Sequence, residues 1–77
     1  MQNAQQKAQW ADPQYVQVTK AEAARIIARS VPEFDRLRRV DPRCPAGYKQ
    51  TDARSATVRF RLSDIYEYSD TLMKRGE

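Results

Sequence analysis

Two helix-start signals stand so close together that each limits the other. Thr19-Lys20-Ala21-Glu22 and Ser30-Val31-Pro32-Glu33 both place a hydroxyl three residues ahead of a glutamate. In such a capping box the hydroxyl accepts from the glutamate amide, and the carboxylate reaches back to the amide of the hydroxyl residue. The first helix must stop before Ser30 can start the second. The chain is therefore expected to form two short helices joined by a tight turn. The first should run from Lys20 to Ala28, with Ala23, Ile26 and Ile27 on one face and Val18 placed to pack on Ala23. The second carries Pro32 in its first turn, where a missing amide costs nothing. Its apolar stripe is Phe34 and Leu37, joined by Val31. Pro32, Arg36 and Arg39 fall on the opposite face, and Arg38 lies near the apolar edge. Asp41-Pro42 ends it, because a residue before proline avoids the helical region.

Pro42, Pro45 and Gly47 break any helix in the next stretch, and Tyr48–Gln50 reads as a short strand before a polar turn. Thr57-Val58-Arg59-Phe60-Arg61-Leu62 then alternates: Val58, Phe60 and Leu62 to one side, Arg59 and Arg61 to the other. The pattern is a two-stranded hairpin with Arg54 at its tip. Two strands alone are unstable in water, so Val58 and Phe60 should pack on the helices. Ser63 is placed to cap a third helix, with Asp64 in its first turn. Ile65, Tyr68 and Leu72, with Met73 beside them, form its stripe, and Glu67 and Asp70 its outer face. The expected fold is mainly α with a small β-hairpin, a winged helix-turn-helix: helix, turn, helix, two-stranded wing, C-terminal helix. It should occupy residues 15–77, after a flexible Gln-rich arm over residues 1–14 whose one large apolar group is Trp10.

A chain of 77 residues with 40% apolar content makes one small domain without room for a deep substrate cleft. Its mean hydropathy is −0.87, and no apolar run approaches the length of a membrane span. Met1–Trp10 does not read as a secretory signal, so a cytoplasmic location is expected. There is no histidine, and Cys44 is the single cysteine. This removes the usual zinc sets and the Ser-His or Cys-His pairs of nucleophilic catalysis. Cys44 is expected to be a small packing residue. No enzyme activity, metal or cofactor is expected.

The net charge of +4 is unevenly spread: residues 1–24 sum to zero, 25–61 to +6 and 62–77 to −2. Most of the central cations are arginine, whose planar fork suits phosphates and guanine edges. Double-stranded DNA is thus the expected partner. The second helix would offer Ser30, Pro32, Glu33, Arg36 and Arg39, with Arg36 the candidate for a guanine contact. Glu33 is read first as the closing member of its capping box, with a cytosine amine as its alternative partner. Arg39, Lys49, Arg59 and Arg61 are expected on phosphates, and Arg54 is placed to reach a minor groove.

These segments carry a resemblance. "VTKAEAARII", the stretch Ser30–Leu37 and above all "VRFRLSDIYEY" resemble the AlpA and excisionase group of small MerR-like winged-helix proteins of phages and integrated elements, over about residues 16–73. The resemblance implies a second helix docked in the major groove with the wing beside it. It implies a recombination directionality factor that bends DNA and assists an integrase, binds cooperatively with further copies, or regulates phage genes. The sequence departs from the group at Ala28-Arg29-Ser30, which lacks the usual glycine, and at Glu33 and Asp35. Two alternatives stand beside it: a small terminase-type DNA-packaging adaptor, and a protein-interaction module that has lost DNA binding.

Overall fold

The computed structural model describes residues 12–49, 51 and 57–76. A 3-10 turn, Pro13–Tyr15, leads into β1 (Gln17–Thr19), α1 (Lys20–Ile26), α2 (Val31–Val40), β2 (Tyr48–Lys49), β3 (Val58–Arg61) and α3 (Leu62–Lys74). Three helices thus pack with a three-stranded antiparallel sheet of order β1-β3-β2. That arrangement is compatible with a winged helix. The expected two-stranded hairpin gains a strand. Val18 stands opposite Phe60 on the inner face, with Gln17 opposite Arg61 and Thr19 opposite Arg59 on the outer one. At three residues, β1 is too short for alternation to show. Gln50, the tip residue Arg54 and most of the Gln-rich arm lie outside the described residues.

Phe60 is fully buried at the centre of the core, its ring 5.2 Å from that of Phe34 at an interplanar angle of 53°. Ala23, Ala24, Ile27, Leu37, Ile65, Tyr68 and Leu72 close around this pair, and Cys44 is buried with them as a packing residue. Three stripe assignments change. Ala24 replaces Ile26 on the buried face of α1, where two small residues allow close approach and Ile26 is left half-exposed. Val31 is also partly exposed. Met73 is 67% exposed, because Ile65, Tyr68 and Leu72 already complete the spacing of one helical face.

The helix ends show which signals were used. Thr19 and Glu22 form the full reciprocal box. α1 ends two residues before Ala28, in a Schellman arrangement: the Arg29 amide donates to the Ala24 carbonyl at 2.9 Å and the Ala28 amide to Arg25 at 3.0 Å. Ala28 takes the left-handed φ of +58° that this motif requires and glycine supplies without strain. Ser63 does not cap α3. Strand pairing runs through Arg61, and the Leu62 amide donates to the Val16 carbonyl at 2.8 Å, so the helix starts two residues earlier, with Arg61 at its N-cap and no side-chain cap. Leu62 accordingly belongs to α3 and not to the strand.

Two further contacts hold the frame. Gly47 has φ +79°, and a Cβ there would sit 2.7 Å from the Phe60 ring and 2.9 Å from Val58. Asp41, at the C-cap of α2, accepts from the Tyr68 hydroxyl (2.7 Å), from Arg75 through two nitrogens (2.8 and 3.4 Å) and from the Arg43 amide (3.0 Å). The Arg75 bond, then the Tyr68 hydroxyl, hold the Asp41 carboxyl far below the usual carboxylate range. Burial, reinforced by donation to Asp41, raises the Tyr68 phenol.

Ala28→Gly is expected to raise stability by about 0.5–1 kcal/mol, and Gly47→Ala to lower it by about 2 kcal/mol or more, read from urea midpoints. A depressed carboxyl pKa contributes stability that is complete above the unfolded value of about 4 and is lost as pH falls below it. Asp41→Asn should cost about 2 kcal/mol at neutral pH and flatten the acid limb of a melting-temperature profile.

Candidate nucleic-acid interface

α2 presents its polar side because Phe34 and Leu37 take the other side inward. Pro32, Arg36 and Arg39 are exposed there, with Ser30 at the N-cap. The Ser30 hydroxyl accepts from the Glu33 amide at 3.2 Å. The second box nevertheless closes only halfway. Both Glu33 carboxylate oxygens accept from Arg36, Oε1 from Nε at 2.9 Å and Oε2 from Nη2 at 2.6 Å. A bidentate guanidinium outcompetes a single backbone amide for the carboxylate. That bond from Arg36 holds the Glu33 carboxyl below its ordinary value. Glu33 and Arg36 therefore form one planar, half-exposed unit on the helix surface.

The second acid of α2 points elsewhere. Asp35 pairs with Lys20 of α1 at 3.2 Å and with Arg38 at 3.0 Å. Partial burial pushes its carboxyl up, but the two cations outweigh this and leave it lowered. Arg38 also donates to the Ala46 carbonyl at 2.9 Å and lies with its guanidinium carbon 5.2 Å from the centre of the Phe60 ring. Its Nε is buried without a hydrogen-bond partner. The side chain thus lies along the apolar edge, covering the aromatic core with its stem and face.

The sheet divides the remaining cations. Lys49 stands opposite Val58, on the face that carries Phe60, and lines a cleft with Lys20, Arg38, Thr57 and Val58. Arg59 and Arg61 lie on the other face with Tyr48, Thr19 and Gln17. Arg61 donates to the Gln14 carbonyl at 3.2 Å, and one Arg59 nitrogen is buried without a partner.

The sequence-derived site residues therefore do not form one row. Ser30, Pro32, Glu33, Arg36 and Arg39 share α2 and its cap. Lys49 is exposed on β2, on the Phe60 face of the sheet, and Arg59 and Arg61 lie on the other sheet face. Arg54 falls outside the described residues. The fold adds Lys20 and Arg38, which no local pattern grouped with Lys49. Among the described residues no cluster of three His, Cys, Asp or Glu is placed to hold a metal, and no helix is long and apolar enough to cross a membrane. Comparison with family models, curated proteins and solved structures gave no match to this chain.

Ser30→Ala is expected to lower stability by about 1 kcal/mol through loss of the cap. Glu33→Gln should leave the urea midpoint unmoved, because the surface pair with Arg36 holds no helix end in place.

Proposed function

We propose that this chain binds double-stranded DNA, with α2 in the major groove, as an excisionase-like factor of a phage or prophage that bends DNA and assists an integrase. The observation that carries this reading is the join of α1 to α2 through the turn at residues 27–30. It leaves the side of α2 bearing Arg36 and Arg39 exposed while the basic cleft of Lys20, Arg38 and Lys49 opens alongside. A helix held this way offers its N-terminal half to base edges, and cations beside it neutralise phosphates. Arg59 and Arg61 extend the basic surface around the sheet.

A single domain of this kind buries about 600–1,000 Å² on DNA, so one copy binds modestly. Several copies on neighbouring sites would give the tight, bent complex an integrase needs, and the same binding at a promoter would regulate transcription. An architecture compatible with a winged helix, the resemblance to the excisionase group and the concentration of positive charge over residues 25–61 support this reading together.

The pairing of both α2 acids with cations favours one second reading, a protein-interaction module of the same shape, since it reduces the positive charge that α2 presents. Binding of labelled duplexes from element ends separates the two. With about four phosphate contacts, affinity should fall about a hundredfold between 50 and 200 mM salt, with bending visible by energy transfer. Absence of duplex binding, or binding indifferent to salt, overturns the DNA reading. An Arg36→Ala chain with undiminished duplex affinity removes Arg36 from the contact and overturns the docking of α2.

A further inference from the structure

The cleft beside α2 gathers cations from three elements that are far apart in sequence. Lys20 opens α1, Arg38 lies in the last turn of α2 and Lys49 stands on β2, with Thr57 and Val58 completing the lining. The cleft encloses about 420 Å³, room for a polyatomic anion together with waters of about 30 Å³ each.

Asp35 organises two of these cations without entering the cleft. Its carboxylate meets Lys20 at 3.2 Å and Arg38 at 3.0 Å, yet among the described residues no carboxylate lines the cleft. Arg38 is fixed further by its bond to the Ala46 carbonyl and by its place over the Phe60 ring. Both side chains are thus held in position before any ligand arrives, so little rotamer freedom is left to lose on binding. Lys49 is exposed and has no such tether among the described residues. Three cations against the one carboxylate of Asp35 leave an excess of two positive charges at this spot.

Positive charge that converges from three directions matches a tetrahedral oxyanion better than a planar carboxylate. A phosphoryl group brings about −1.5 to −2 charge and three strong acceptor oxygens. The Thr57 hydroxyl adds a neutral donor at the rim. We infer that the Lys20–Arg38–Lys49 cleft is a discrete phosphate seat, which takes one tetrahedral phosphate, either as a free anion or as a unit of a nucleic-acid backbone. The seat goes beyond the DNA reading, because its chemistry holds for an anion without a duplex. A phosphate in it draws α1, α2 and β2 together and stabilises the fold as it binds.

Titration of inorganic phosphate at constant ionic strength, followed by amide NMR of the whole chain, tests this. Shifts at Lys20, Lys49 and Val58 should saturate in the millimolar range, unlike the linear effect of an excluded salt. Lys49→Gln should weaken the binding about tenfold, and Lys49→Arg should retain it. Lys74→Gln removes the same charge from α3 and should change nothing. Shifts that do not saturate, or a Lys49→Gln chain that binds phosphate as the wild type does, overturn the seat. Duplex binding then identifies the source of the phosphate. A backbone phosphate in the seat reduces the salt slope of Lys49→Gln by about one, whereas an unchanged slope beside saturable phosphate binding assigns the seat to a free anion. A chain that retains no duplex overturns the DNA reading, while saturable phosphate binding still supports the seat.

Discussion

The ring of Phe60 is the contact that the other elements are arranged around. It stands on the middle strand, faces inward, and meets Phe34 of α2 at 5.2 Å. Val18 of β1 is its partner across the ladder, and Arg38 lies over its face. The backbone at Gly47 approaches so closely that no side chain fits between them. In a domain of this size one such residue joins both outer strands and the second helix to one point. Truncating a buried phenylalanine costs about 3–5 kcal/mol, most of the stability a small domain has. The outward direction of Arg36 and Arg39 follows from the same contact, because Phe34 fixes the rotation of α2.

Much of this was readable along the chain, for a physical reason that also marks the limit. The Thr19 box, the alternation of Val58 to Arg61, and Asp41-Pro42 are local signals, and each element they mark is present. The departures arise where a second contact outweighs the local signal. The Leu62 amide bonds to the Val16 carbonyl and the helix starts ahead of Ser63, and the Glu33 carboxylate goes to Arg36 instead of the Ser30 amide. β1 was missed because its evidence lies in its partner, β3, and not in Gln17-Val18-Thr19. The site was legible as a list of cations but not as a surface. Which face Lys49 takes depends on its register opposite Val58, and sequence spacing does not carry that register.

The two acids on α2 illustrate how like residues acquire unlike roles from their angular position. Asp35 faces the sheet side, where Lys20 and Arg38 claim it and tie α1 to α2. Glu33 lies on the other flank and holds Arg36 in plane. Counted as charge, both weaken a basic surface. As geometry, the first ties α1 to α2 and the second holds the Arg36 guanidinium against the surface of α2.

The pairing of β1 with β3 has a consequence for the order of events in folding. β1 directly precedes α1, yet its hydrogen-bond partner follows α2 and β2, so the central strand joins its two neighbours from one distant segment. Closing such a loop costs chain entropy before any strand contact repays it. α1 and α2 can form early from their caps, but they bury little until Phe60 arrives. The rate-limiting event should therefore be the docking of β3. Substitutions at Val18 or Phe60 would slow folding, and so would changes at the helix caps if their bonds are already made when β3 docks.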